Sequence, residues 1–143
     1  MRTLAIILLL LVSLDLNINS HSNYVHCISH TNEWEWDNLI NKLIQVESEG
    51  DSTAIGDGGK AVGILQIHPI MVREVNRILN QNKYSYEDRY SVHKSIEMFN
   101  IYQSKYNPDK DLELAAKLWN GGSTYYLRLD KVESYWKKVN KIK

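Results

Sequence analysis

The feature that most constrains this chain is a carboxyl group set into an apolar stripe. Leu39, Ile40, Leu43, Ile44 and Val46 recur at helical spacing. Glu47 follows Leu43 by four positions and Ile44 by three, so its side chain shares their face. Gly50 offers a helix end just beyond it. Complete burial raises a carboxyl pKa by up to about 3–5. The negative end of the helix adds only ~0.3–1 kcal/mol. Burial must therefore do most of the work if Glu47 is to stay protonated near neutral pH. A carboxyl in that state can protonate a leaving oxygen, the first step in cleaving a glycosidic bond. Periodicity alone fits a plainer arrangement equally well, in which Glu47 pairs with a base or the helix rotates it outward.

The chain around this stripe has the size of one domain, and its 43% hydrophobic residues suffice for a core. Seventeen basic residues balance seventeen acidic ones. That balance argues against a nucleic-acid partner. Arg2 precedes the apolar run from Leu4 to Val12, which is shorter than the ~20 residues of a membrane span. It reads as an export signal ending between Ser20 and Ser22, and without a clear Ala-x-Ala site retention as an anchor stays open. Residues 1–22 are thus expected to be a signal peptide or N-terminal anchor, 23–35 a polar linker and 36–143 the folded domain. The lone Cys27 leaves no internal disulfide, and with His21, His26 and His30 it fits no zinc spacing. No metal and no cofactor are expected.

The periodicities predict a mainly α fold. Helices are expected from about Trp36 to Ser48, from Pro69 onward, from Ser91 to Tyr106, from Asp111 to Trp119 and from Asp130 to Ile142. Asn107-Pro108 and Asn120-Gly121-Gly122 separate the later ones. Residues 49–60 carry Gly50, Asp51, Gly56, Asp57, Gly58 and Gly59 and are expected to form a loop. Ala61 to Ile67 is expected as one or two buried helical turns, with Gly63 allowing close backbone approach.

Three blocks then carry a resemblance. Ile44-Gln45-Val46-Glu47-Ser48, the Gly/Asp-rich gap and Ala61-Val62-Gly63-Ile64-Leu65-Gln66-Ile67-His68-Pro69 resemble the lytic transglycosylase (SLT) domain of the lysozyme-like superfamily. That family joins a helix-ending Glu-Ser pair to a Gly-Leu-Met-Gln-like segment and a proline. Ala115 to Gly122 resembles its Ala-x-x-Tyr-Asn-Ala-Gly block, with Trp119 in the tyrosine place. Tyr135-Trp136-Lys137-Lys138-Val139 resembles its Tyr-Val-x-x-Val block. The blocks occur in order between Leu39 and Val139.

The resemblance implies a lysozyme-like (goose-type/SLT) helical domain that cleaves the bond between N-acetylmuramic acid and N-acetylglucosamine. It implies Glu47 as the catalytic acid, then as the base on the muramoyl C6 hydroxyl, giving a 1,6-anhydro sugar. Ser48, Gly63, Gln66, Asn120 and Tyr135 are the expected substrate-binding or cleft residues. The expected partner is the peptidoglycan glycan strand, met outside the cytoplasm, in the periplasm or beyond, by a monomer that contacts membrane only through its signal. Two neighbouring readings stay open: a muramidase that adds water, and an inactive peptidoglycan-binding module. Ordinary glycosidases use two carboxylates. Asp51 and Asp57 are candidates for the second, although turn formation explains both. If neither serves, the substrate's acetamido group can assist the lone acid. His68, Trp119, Tyr125 and Tyr126 are further candidates for the cleft, Trp119 with core packing as the alternative.

Overall fold

The computed structural model describes residues 19–143, with side-chain environments from Glu33 onward. The apolar run Leu4–Val12 lies outside the described residues. Backbone contacts divide the chain between Asn32 and Glu33. Among the described residues of the first unit the backbone is helical. The core and the cleft belong to the second unit, Glu33–Lys143. No described helix is long and apolar enough to cross a membrane.

The architecture is mainly helical, as the periodicities predict. Helix α1 spans Asn19–Ser48 and short strands β1 (Ile55–Gly56) and β2 (Ala61–Val62) come after it. Then come α2 (Pro69–Leu79), α3 (Val92–Tyr106), α4 (Leu112–Gly121) and α5 (Leu129–Asn140). Three 3₁₀ segments connect them, Asp57–Gly59, Glu87–Tyr90 and Gly122–Arg128. Helix α1 starts upstream of the expected Trp36, and residues 23–35, expected as a linker, are part of it. That stretch contains neither glycine nor proline, and extending an existing helix is far easier than starting one.

Local sequence explains most boundaries. Glu49 and Gly50 both take positive φ and end α1. Pro69 opens α2 with its preset φ. Ser91 caps α3 through the Lys94 amide, and Asp111 caps α4 through the Leu114 amide at 2.7 Å. Between those helices Asn107 bonds Asp111 in both directions and also donates to the side-chain carbonyl of the buried Gln103. Gln103 in turn donates to the Ala115 carbonyl.

The core forms where α1, α3 and α4 meet. Trp36, Leu39, Ile40, Leu43 and Ile44 are all buried on one face of α1. The Phe99 ring lies 5.5 Å from Trp36 and 5.1 Å from Trp119, joining the three helices through aromatic contacts. Leu65, Ile67, Val72, Val75 and Met98 extend the same cluster.

One expected element is overturned. Ala61 to Ile67 is not helical. β2 pairs antiparallel with β1, and Val62 then pairs back with Ile67 around a tight turn closed by the Gln66 amide on the Gly63 carbonyl. Gly63 (φ 78°) and Gln66 (φ 48°) both occupy the left-handed region that a right-handed helix cannot contain. Strands of two residues are too short to write an alternating pattern into the sequence.

Candidate active site

The last turn of α1 continues the buried stripe and sets Glu47 at the edge of a cleft of about 660 Å³. Only part of the residue remains exposed. Burial raises the Glu47 pKa above its ordinary 4.5; a hydrogen bond from Tyr135 and the nearby Lys138 charge oppose that rise without cancelling it. Tyr135, on α5, donates its hydroxyl to Glu47 Oε1 at 2.5 Å. Burial first, then the carboxylate beside it, pushes the Tyr135 pKa up, so the phenol keeps its proton. With Oε1 accepting that bond, the proton of the neutral acid belongs on Oε2, the oxygen left free.

The turn from Gly63 to Ile67 forms the adjoining floor, and its backbone carbonyls accept from the side chain of its own Gln66 and from side chains of other elements. Gln66 folds back and donates to the carbonyls of Gly63 at 3.0 Å and Ala54 at 3.2 Å. Ser48, from the end of α1, donates to Ile64 at 2.8 Å. Trp119, from α4, donates to Leu65 at 3.3 Å. Arg89 donates to Ile67 at 3.1 Å, to Lys60 at 3.0 Å and to Tyr86 at 2.7 Å. Backbone bonds within the turn reach Gly63 and Ile67 but leave the Ile64 and Leu65 carbonyls to side chains, and unpaired buried carbonyls are costly. The side chains that meet this demand also tie the turn to α1, α4 and the Glu87–Tyr90 segment.

These contacts sort the expected site residues. Glu47, Gln66 and Asn120 line the cleft together, and Tyr135 reaches Glu47 from α5. Ser48 and Gly63 are outside the cleft lining. Ser48 spends its hydroxyl on the turn. Gly63 presses against the far side, where an added Cβ would fall 2.0 Å from the Arg89 carbonyl oxygen. Its close approach is to the Arg89 backbone. Asn120, near the end of α4, has a buried Oδ1 with no hydrogen-bond partner. Among the described residues this acceptor has no donor, which leaves it available to a polar group in the cleft.

The remaining candidates separate in the same way. Asp51 is exposed and accepts from the Thr53 amide and hydroxyl, an Asx turn that lowers its pKa. It is not in the cleft. Asp57 and His68 do line it, with 3.6 Å between His68 Nε2 and Asp57 Oδ2. Trp119 borders the cleft and also packs on Phe99 in a T-shaped contact. Tyr125 and Tyr126 are outside the lining. Several cleft residues were not among the expected site residues: Met71, Glu74, Tyr102 and Arg128. Glu74 lies on the α2 stripe one turn before Ile78, so helical phase alone would have turned it inward. Arg89 was missed because its partners lie up to 29 residues away. Among the described residues, no cluster of His, Cys, Asp and Glu could hold a metal.

The mainly helical fold, with Glu47 at the end of its first helix and at the edge of a cleft, is consistent with a lysozyme-like helical domain. The family model described as the transglycosylase SLT domain matches residues 28–141, and the chain belongs to that family. The match begins within the stretch expected as linker. No curated protein and no solved structure gives a match. Proteins with this domain act on peptidoglycan, generally in the periplasm or extracellular space.

Proposed function

We propose that this protein is a peptidoglycan lytic transglycosylase with Glu47 as its catalytic acid and base. The observation that carries the reading is the Glu47–Tyr135 pair: a carboxyl with raised pKa, bonded on one oxygen and free on the other. Glu47 Oε2 donates its proton to the oxygen joining muramoyl C1 to the next sugar, and that C–O bond breaks. The resulting carboxylate then takes the proton from the muramoyl C6 hydroxyl as O6 bonds to C1. The product is a 1,6-anhydro sugar, the acid is restored and no water is consumed. Tyr135 stabilises the carboxylate between the two transfers.

Three features favour a single acid over a carboxylate pair. Asp51 is outside the cleft, Asp57 is exposed beside His68, and Glu74 is bonded by Arg77 and by the Tyr106 hydroxyl. Assistance at C1 then falls to the substrate's own acetamido oxygen. Asn120 Oδ1 suits a sugar hydroxyl or amide N–H, and Gln66 keeps the floor in place. Export by residues 1–22 would bring the enzyme to its substrate.

Purified protein should release muropeptides from peptidoglycan, and Glu47→Gln should abolish release while leaving the circular dichroism spectrum unchanged. Mass spectrometry of the wild-type products reads the chemistry directly. Products lighter by one water than hydrolysed ones support the proposal. Hydrated products alone would make the enzyme a muramidase, and undiminished release by Glu47→Gln would remove Glu47 from the mechanism.

A further inference from the structure

The cleft carries unlike charges on different walls. Asp57 on the hairpin side has His68 near it, and Glu74 on α2 has Arg77. Arg128, at the end of the Gly122–Arg128 segment, also lines the cleft. It is exposed and makes no ion pair or side-chain hydrogen bond among the described residues. Ser123 and Thr124 place hydroxyl groups on the same wall. Downstream the bias continues, with five basic residues against two acidic after Arg128, in a chain of zero net charge. Lys138 already acts on Glu47 from α5.

The sugar rings of a glycan strand are neutral, so they give this wall nothing to neutralise. The negative charge of peptidoglycan sits on the lactyl substituent at muramoyl O3, either as the lactyl carboxylate itself or on the stem peptide attached to it. We propose that Arg128 is a specificity residue that binds this carboxylate, with Ser123 and Thr124 as supplementary donors. Arginine suits the task because its planar fork matches a carboxylate with two parallel hydrogen bonds. The wall thereby favours muramoyl-bearing strands over uncharged amino-sugar polymers of the same linkage. This inference rests on the peptidoglycan reading of the cleft.

The test uses the full chain carrying Glu47→Gln, so that bound strands are not cut. Affinity is measured for glycan strands with intact stem peptides, for strands stripped of peptide by an amidase, and for a neutral β-1,4-linked N-acetylglucosamine oligomer. Arg128→Ala should lower the ratio of anionic to neutral affinity about fivefold, the upper range for an exposed ion pair. Arg128→Lys should restore only part of that ratio, since the charge returns without the fork. High salt should shrink the difference, because an exposed pair is screened over about 8 Å at physiological ionic strength. The strand that loses more identifies which carboxylate is held. A ratio unchanged by Arg128→Ala, or a loss unaffected by salt, overturns the inference while leaving the proposed reaction standing. Failure of the Glu47→Gln protein to bind any of the three ligands overturns both.

Discussion

Tyr135→Phe separates the hydrogen bond at Glu47 from everything else that Tyr135 does. The ring is buried and stays in place, so the substitution removes one oxygen and leaves the packing of α5 intact. What is lost is the 2.5 Å bond to Glu47 Oε1. In the proposed mechanism the acid starts protonated, and a neutral hydrogen bond contributes about 0.5–1.5 kcal/mol. After proton transfer the partner is a carboxylate, and the same bond contributes about 1.5–3 kcal/mol. Only the difference, about 1–1.5 kcal/mol, acts on the barrier. That corresponds to a drop in kcat of roughly 5–12-fold, with KM little changed. The pH profile carries a second signature. Activity falls on the alkaline side as Glu47 loses its proton. Removing a bond that lowers the Glu47 pKa lets burial raise it further, so the alkaline limb should move to higher pH. Turnover of muropeptides across a pH series measures both effects. A loss beyond about a thousandfold would mean that Tyr135 transfers a proton itself, since general acid–base steps contribute on that scale. An unmoved or lowered alkaline limb would refute the assignment of Tyr135 as a stabiliser of the carboxylate.

The same geometry sets three further outcomes. Glu47→Gln should raise the melting temperature by a few degrees at neutral pH: burial makes the native state hold this proton more tightly than the unfolded chain does, so stability falls as pH rises above 4.5. The gain should vanish when melting is repeated below that pH, where both states are protonated. Gly63→Ala should cost about 2–5 kcal/mol in urea denaturation, combining a positive φ with overpacking against the Arg89 carbonyl. Arg89→Met should cost about 1–3 kcal/mol, because the Lys60 carbonyl loses its donor while the Ile67 and Tyr86 carbonyls keep the Val62 and Arg89 amides, and lytic activity should fall with it.

Legibility in the sequence followed the range of the interaction. The helices from α2 to α5 were readable because apolar period, Pro69, Ser91 and Asp111 are all local signals. Glu47 was readable because a carboxyl in phase with Leu43 and Ile44 breaks a local rule. The hairpin was not, since two-residue strands leave no period and its geometry depends on φ at Gly63 and Gln66. Gln66 and Ser48 were expected to meet a ligand. The structure shows their donors turned on the backbone of the Gly63–Ile67 turn, a use that residue type and spacing do not express. Arg128 was invisible because nothing in a single exposed arginine says which surface it borders.

The fastening of that turn has a consequence for how this protein tolerates change. Four side chains from scattered parts of the chain hold one stretch of floor, and only Gln66 and Trp119 among them border the cleft. A mutational screen scored on wall lysis would therefore return Arg89, Ser48 and Gly63 alongside Glu47. By lost activity alone they would be indistinguishable from residues that touch the sugar. Scoring the same library for soluble yield would divide them: the anchors of the turn should fail both screens, while Glu47 variants fail only the first.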